Sequence, residues 1–162
     1  MRVIADLHIH GRYSVATSKS MEIPEIARCA RVKGLSLVGT GDFTHPKWLQ
    51  HLHSTLREVE EMGLYVYEPL PSVYFMLTTE VETVFEHEGR VRRVHHVVLA
   101  PSFEVVEQIN ERLSRFGSLS KDGRPTLSMP ASELVEELVP VSYTHLRAHE
   151  TEADLVCRLL LE

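Results

Sequence analysis

The residues with the clearest chemical potential stand at the end of the first apolar run, in the order Asp6-Leu7-His8-Ile9-His10. If this run is a β-strand, side chains two residues apart share one face, so Asp6, His8 and His10 point the same way. Two imidazoles on one face can bind a single metal ion, and the nearby carboxylate can be a further ligand or can orient an imidazole. Taken alone, the pattern is equally typical of two hydrogen-bonded or solvated histidines.

Similar side chains recur at or just beyond the later predicted strands, and eight of the ten histidines lie within the first 96 residues. Each side chain has an ordinary explanation: Asp42 can cap a helix, Glu80 can pair with an arginine, and adjacent histidines can be one core and one surface residue. Their shared placement favours one metal site over four unrelated explanations. The further candidates are Asp42, His45, Glu80, His95 and His96.

Alternating strands and helices would position these residues. Pro24 suits the first position of a helix, Gly34 suits the position just past its end, and Ser102 suits the N-cap of a later helix. The alternation predicts an α/β protein with a largely parallel sheet, whose functional groups gather at the carboxyl ends of the strands. We predict strands at residues 3–7, 35–40, 73–84 and 90–100, with a turn at 87–89, and helices at residues 24–33, 46–62, 103–115 and 130–138.

Length and composition narrow the class of protein. The 162 residues suit one domain or a piece of one. The net charge of −6 argues against a globally basic nucleic-acid-binding surface and leaves a local basic patch open. Two distant cysteines do not make a disulfide framework. No apolar run approaches the roughly 18 residues of a membrane span, and no signal peptide is visible, so we expect a cytoplasmic protein without a membrane partner.

The sequence resembles the PHP family (polymerase and histidinol phosphatase), metal-dependent phosphoesterases built on a distorted seven-stranded β/α barrel. Residues 6–10 are similar to the first family motif and residues 39–45 to the second. Glu80 is similar to the bridging glutamate of the family, and His95 or His96 to the histidine of the next motif. The resemblance implies the N-terminal portion of a PHP-type (β/α)7 barrel.

Within this family the sequence resembles the endonuclease Q group more narrowly. Enzymes of that group are DNA repair nucleases that cut on the 5′ side of deaminated bases, such as uracil or hypoxanthine, and of abasic sites. The second motif departs from the general family pattern, because Phe43 stands where a histidine is usual and His45 is the candidate to replace it. The narrower resemblance lies in four blocks in the same order, residues 39–46, 77–82, 95–102 and 122–125.

The resemblance implies several divalent metal ions, with Asp42 and Glu80 as the catalytic carboxylates. Such ions lower the pKa of a bound water and neutralise charge on the phosphate, and mixed carboxylate and imidazole ligands suit Zn or Mn better than Mg alone. Adjacent strand residues face opposite ways, so we expect only one of His95 and His96 to be a ligand, and we favour His95. The implied ligands are His8, His10 and Glu80 for one ion, His95 or His96 for a second that Glu80 bridges, and Asp42 and His45 for a neighbouring ion.

The implied partner is DNA that contains a deaminated base or an abasic site. Arginine can bind phosphates, and an aromatic side chain near the site can stack on an extruded base. For Trp48, the alternative of a helix anchor packed against the core is at least as well supported. The candidate DNA contacts are Arg12, Tyr13, Trp48 and Arg124.

The resemblance stops after Leu138. Residues 141–162 instead resemble translated sequencing-adapter read-through, so we predict that residues 1–140 are the native part of the domain and that the tail is not native. An amphipathic terminal helix is the alternative interpretation of residues 155–160. Without the closing strands of the barrel and the remaining ligands, we expect the 162-residue chain by itself to be inactive.

Three functions therefore compete. The leading interpretation is a fragment of a metal-dependent endonuclease for damaged DNA. The second is a PHP phosphatase that acts on a small phosphomonoester, and the third is a PHP module that binds metal without catalysis. Hydrolysis of a chromogenic phosphate ester, or nicking of damaged duplex alone, would separate the first two, and retained zinc without turnover would support the third.

Overall fold

The structure, a computed structural model, describes residues 3–60, 62–141 and the strand His145–His149. It has a mixed α/β fold, as predicted. The helices are α1 (Ile23–Lys33), α2 (Pro46–Thr55), α3 (Phe103–Leu113) and α4 (Ala131–Leu138). The strands are β1 (Ala5–Asp6), β2 (Leu37–Gly39), β3 (Arg57–Glu58), β4 (Tyr65–Val66), β5 (Tyr74–His87), β6 (Arg90–Ala100), β7 (Thr126–Leu127) and β8 (His145–His149).

The sheet is centred on the long strand β5. Strands β1, β2 and β5 are neighbours in parallel, and β7 also pairs with β5 in parallel. Antiparallel pairing joins β5 to β4, β4 to β3, and β5 to β6. The sheet is thus more mixed than the sequence predicted, because β3 and β4 are two residues each and too short to show a periodic pattern. Closure into a seven-stranded barrel stays a prediction.

A long hairpin of β5 and β6 sets the register of the candidate ligands. All of β6 pairs with residues 77–87 of β5, with Glu82 opposite His95 and Glu80 opposite Val97. Glu88 and Gly89 form the turn with φ of 53° and 72°, the left-handed pair that a two-residue hairpin favours. The predicted turn at residues 87–89 is therefore confirmed. The hairpin brings the histidines of β6 beside the glutamates of β5.

Helix α1 begins and ends where its terminal residues predict. Pro24 lies in its first turn, and Gly34 caps its end in the left-handed conformation with φ of 73°. The helix buries Ile23, Ile26 and Ala27 against the sheet. Strand β1 is held in the sheet by its parallel pairing with β2.

Helix α2 is shorter than predicted and ends at Thr55 rather than near Gly63. The hydroxyls of Ser54 and Thr55 donate hydrogen bonds to the carbonyl of His51, at 2.9 and 2.7 Å. Such side-chain bonds compete with the backbone bonds that would continue a helix. Beyond them the chain becomes extended and pairs as β3, so Leu56 still packs in the core although it lies outside the helix.

Helix α3 depends on a side-chain cap. The Ser102 hydroxyl accepts a hydrogen bond from the backbone nitrogen of Val105 at 3.3 Å, as predicted for an N-cap. We expect Ser102→Ala to lower the free energy of unfolding by about 1 kcal/mol, measured by urea denaturation, because one helix N–H loses its acceptor. Ser102→Gly is the matched variant and should cost only a few tenths of that. Equal losses in both variants would contradict the capping role.

The tail predicted to be non-native is described only in part. Residues His145–His149 form β8, which pairs antiparallel with β6 and places His149 opposite His95 in the register. The proposed helix at residues 155–160 lies outside the described residues, and the non-native origin stays a prediction. In the part of the chain that the structure describes, every helix is too short or too polar to cross a bilayer.

Candidate metal centre

Three side chains bring their ligand atoms to one point. His8 Nε2 lies 2.9 Å from Glu80 Oε2, and His10 Nε2 lies 3.0 Å from the same oxygen. The ligand atoms of these three residues all fall within 4.8 Å of one another. The two imidazole rings meet edge to face with their centroids 5.6 Å apart. Two imidazoles and a carboxylate thus form a cluster that could hold a metal ion.

The three residues meet because the strands that carry them are neighbours. His8 and His10 follow β1, and Glu80 lies within β5, with β2 between the two strands. Spacing of two residues in extended chain places both imidazoles on the side of Glu80. Asp6, which the sequence allowed as a further ligand, instead accepts a local hydrogen bond from the backbone nitrogen of His8 at 3.3 Å.

Asp42 is fully buried and contacts the ring nitrogen of His10 that faces away from Glu80. Its Oδ1 lies 2.9 Å from His10 Nδ1, so the other ring nitrogen of His10 faces Glu80. Its Oδ2 accepts hydrogen bonds from the backbone nitrogen of Gly11 at 2.6 Å and from the Ser14 hydroxyl at 2.9 Å. Both carboxylate oxygens therefore have protein donors. In this arrangement Asp42 orients an imidazole of the cluster.

The turn after β2 places Asp42 through an unusual backbone conformation. Gly41 and Asp42 both have positive φ, 64° and 52°. A Cβ on Gly41 would overlap the carbonyl oxygen of Ile9, so the loop after β1 can approach only a glycine here. Aspartate tolerates the left-handed region better than most residues, although the conformation is strained. The strain is a local cost of carrying the carboxylate to the loop that holds His10.

His95 and His96 face opposite sides of β6. His95 Nδ1 lies 2.7 Å from Glu80 Oε1, on the side of the cluster. His96 is buried in the opposite direction, with its Nε2 2.9 Å from the Thr83 hydroxyl, and burial lowers its pKa to about 4. The structure thus brings His95 to Glu80 and leaves His96 as a neutral core residue.

His45 lies apart from the three-residue cluster. It precedes the first residue of α2, is buried, and stacks on the ring of Tyr13 with centroids 4.6 Å apart and an angle of 7°. Its Nδ1 has no hydrogen-bond partner among the described residues. Burial lowers the pKa of His45, against a backbone hydrogen bond at Ser120 that raises it. A neutral imidazole with an unpaired buried nitrogen retains the capacity to bind a cation.

The carboxylates of the cluster favour a positive charge beside them, whether on an imidazole or on a bound cation. Burial alone would raise the pKa of Glu80, but hydrogen bonds from His10 and His8 outweigh it and hold that pKa at about 2. Hydrogen bonds to Asp42 and Glu80 raise the pKa of His10 to about 9. The Nδ1 of His95 is buried and lacks a hydrogen-bond partner in the described part of the chain, although it lies close to the Glu80 carboxylate. Imidazole nitrogens and carboxylate oxygens that converge in this way could hold a metal ion.

The four candidate DNA contacts differ in accessibility. Arg12 pairs with Glu22 and lies over the ring of Tyr13, with 5.7 Å from its guanidinium carbon to the ring centroid. Both side chains are partly exposed. Arg124 is 44% exposed, and its guanidinium lies 3.8 Å from Glu80 Oε1. It is a cation at the edge of the candidate metal centre.

Trp48, named from the sequence as a candidate DNA contact, lies in the core instead. Its side chain is fully buried, and its indole nitrogen donates a hydrogen bond to the carbonyl of Gly41 at 2.8 Å. Its ring packs so closely on Gly11 that a Cβ there would overlap it. The ring therefore offers no face to a nucleic-acid base and anchors the first turn of α2 against the core, which was the alternative that the sequence left open.

A loop that the sequence analysis did not assign to the metal site closes over Asp42. Asp122 accepts a hydrogen bond from the backbone nitrogen of Val15 at 3.2 Å. Gly123 packs so closely on Asp42 and Ser14 that a Cβ would overlap both side chains. These contacts join residues about 80 to 110 positions apart in the chain, so no local sequence pattern predicts them. The only sequence signal for this loop was Gly123 within a block of turn-forming residues, because a glycine can mark a close approach of two segments.

Comparison with solved structures finds similarity to endonuclease Q. No family model matches the sequence. The chain is 34% identical to the lesion-specific endonuclease Q of Pyrococcus furiosus, with a TM-score of 0.78 over 91% of this chain and 34% of that one. It is 35% identical to endonuclease Q in a complex with a 27-mer duplex substrate that has an abasic lesion at the active site, with a TM-score of 0.77 over 90% of this chain and 34% of that one.

A sequence relative from a second organism extends the comparison. The chain is 39% identical over 132 residues to an uncharacterised protein of Methanocaldococcus jannaschii, covering 81% of this chain and 14% of the relative. The chain thus spans about a third of the solved endonucleases and a smaller part of this relative. The predicted resemblance to endonuclease Q is confirmed. The wider PHP assignment stays a prediction.

Proposed function

We propose that this chain forms the metal-binding part of a DNA repair endonuclease of the endonuclease Q type, which hydrolyses the phosphodiester on the 5′ side of a deaminated base or an abasic site. The observation that carries the proposal is the convergence of His8, His10 and Glu80 within a fold similar to endonuclease Q over nine-tenths of the chain. We further propose that this fold is the first part of a PHP-type (β/α)7 barrel.

Each residue of the cluster has a separate part in this proposal. His8, His10 and Glu80 hold one divalent ion, and Glu80 Oε1 together with His95 Nδ1 offers a second position beside it. Such ions would supply an activated water and neutralise charge on the phosphate. With an ion bound, Asp42 would accept the hydrogen bond from His10 Nδ1 and so orient the ring with Nε2 towards the ion.

The proposed DNA contacts are the exposed or partly exposed candidate side chains near the cluster. Arg124 is proposed to bind a phosphate oxygen; its side chain is 44% exposed, and its guanidinium lies 3.8 Å from Glu80 Oε1, too far for a hydrogen bond. Arg12 and Tyr13, which are partly exposed in the loop after β1 and contact each other, are proposed as further DNA contacts. His45, stacked on Tyr13, is proposed as a ligand of a neighbouring ion. Local cations of this kind can bind DNA even in a protein of net charge −6.

The test is a nicking assay with the complete protein that the gene encodes, and with this chain in parallel. Matched duplexes carry uracil, hypoxanthine, an abasic site or no lesion, each with Mn²⁺, with Zn²⁺ or with EDTA. We expect a cut on the 5′ side of the lesion that EDTA removes, and an intact undamaged duplex. Hydrolysis of p-nitrophenyl phosphate without nicking of any damaged duplex would contradict the proposal and favour a phosphatase.

A further inference from the structure

The loop between β1 and α1 has an exposed apolar tip beside the metal cluster. Residues 14–17 form a β-turn in which the backbone nitrogen of Thr17 donates to the carbonyl of Ser14 at 3.3 Å. Val15 and Ala16 are the two central residues of this turn, and both are exposed, Val15 to 75%. Turns favour glycine, proline, asparagine, aspartate and serine at such positions. This turn instead presents a branched apolar side chain to solvent.

The turn is anchored next to the cluster from two sides. The Ser14 hydroxyl donates to Asp42 Oδ2 at 2.9 Å and lies 3.4 Å from His10 Nδ1. The backbone nitrogen of the next residue, Val15, donates to Asp122 Oδ1 at 3.2 Å. Two distant parts of the chain therefore fix the position of Val15, and the residue before it contacts a histidine of the cluster.

The backbone of the turn is strained. Ala16 has a φ of 63°, in the left-handed region, and a turn that needs a positive φ at its second central position favours glycine or asparagine there. Alanine carries a Cβ, so it adopts this conformation at a cost in free energy. Strain of this kind persists where surrounding contacts enforce it, and it is frequent at functional sites. A strained and anchored turn that exposes a valine therefore indicates a contact with a bound partner.

We propose that Val15 is a wedge that enters the base stack of the DNA beside the lesion and fills the space from which the damaged base is withdrawn. The inference rests on the proposed function, because that function brings the lesion to the metal cluster. Enzymes that act at a damaged base extrude it from the duplex and lose its stacking and pairing energy. An apolar side chain inserted at a base step offsets part of this cost through contact with the flanking bases.

The chemistry of Val15 suits this role better than that of its neighbours. Its side chain has no polar atom that needs a hydrogen bond inside the stack, and burial between bases removes its apolar surface from water. Tyr13, the aromatic residue of the same loop, is stacked on His45 with centroids 4.6 Å apart, so one face of its ring is already covered. Val15 is therefore the apolar side chain of this loop that is free to enter the DNA.

The experiment compares nicking of two uracil-containing duplexes by the complete protein with Mn²⁺. In one duplex the uracil is paired with adenine, and in the other it stands in a single-nucleotide bulge without a partner. We expect Val15→Ser to slow nicking at the paired uracil by about 10-fold and at the bulged uracil by less than about 2-fold, because the bulged base is already unpaired. Val15→Ile keeps an apolar side chain and should nick both duplexes at the wild-type rate.

Val32→Ser is the matched control for loss of an exposed valine. Val32 is also 75% exposed, but it lies in the last turn of α1 and not in the loop that carries Ser14. Serine and valine have similar helix propensities, so the exchange hardly affects the helix. We expect the wild-type nicking rate on both duplexes from this variant.

A 2-aminopurine base beside the paired uracil reports insertion of the wedge directly, by rapid mixing before the strand is cut. Its fluorescence rises when it loses stacking, so wild type and Val15→Ile should raise the signal and Val15→Ser should not. An unchanged nicking rate of Val15→Ser on both duplexes, or equal slowing on both, would overturn the proposal, as would wild-type nicking without a rise in signal. A rise in signal without nicking would contradict the proposed function alone, and the absence of both would contradict both.

Discussion

Replacement of Glu80 by glutamine is expected to remove metal from the cluster and to reduce incision of damaged DNA by more than about 100-fold, because the carboxylate is the group that the other ligands share. His8 and His10 both lie within 3.0 Å of its Oε2, and His95 lies 2.7 Å from its Oε1. Glutamine keeps the shape of the side chain but replaces one anionic oxygen with an N–H donor. Metal content by atomic emission and the nicking rate are the two measurements.

Glu86→Gln is the matched control for this prediction. Glu86 lies on the same strand, β5, in an exposed position six residues further on, so the chemical change is identical while the cluster is untouched. We expect wild-type metal content and wild-type nicking from this variant. A Glu80→Gln protein that retained its full metal content would show that the metal ion binds elsewhere.

The local parts of the fold and of the site could be predicted from sequence because short-range rules govern them. Spacing of two residues in a strand placed His8 and His10 on one side, and proline and glycine marked the ends of α1. Alternation along β6 separated His95 from His96, which is the arrangement that the structure has. Each of these inferences needs only the geometry of one element.

The parts that sequence could not supply depend on contacts between distant segments. Asp42 was expected to be a metal ligand, which stays a prediction, and its local sequence does not reveal that donors from a loop about 30 positions earlier contact both of its oxygens. Trp48 was weighed as a DNA contact because nothing in its neighbours reveals that Gly11 receives its ring. The end of α2 at Thr55 follows from competing hydroxyls and from pairing with β4. Periodicity of apolar residues records none of these contacts.

The role of Asp42 can be tested by its conversion to asparagine. We expect metal affinity to fall by about 10- to 100-fold, because the amide nitrogen can face His10 Nδ1 only if that atom gives up its proton, and the ring would then keep its proton on Nε2, the nitrogen that a metal ion needs free. If the amide turns the other way, its N–H groups meet the backbone N–H of Gly11. Either orientation leaves a buried donor without an acceptor, at a cost of about 1–3 kcal/mol in the free energy of unfolding. Metal titration and urea denaturation measure the two effects.

Asp6→Asn separates this orienting role from a general loss of negative charge near the site. Asp6 makes only a local contact among the described residues, to the backbone nitrogen of His8, and the oxygen of an asparagine can still accept that hydrogen bond. We expect this variant to bind metal within about 2-fold of wild type, since no proton on an imidazole depends on it. Equal losses of affinity in the two variants would mean that Asp42 acts through its charge alone. A loss confined to Asp42→Asn would mean that it acts through the tautomer of His10.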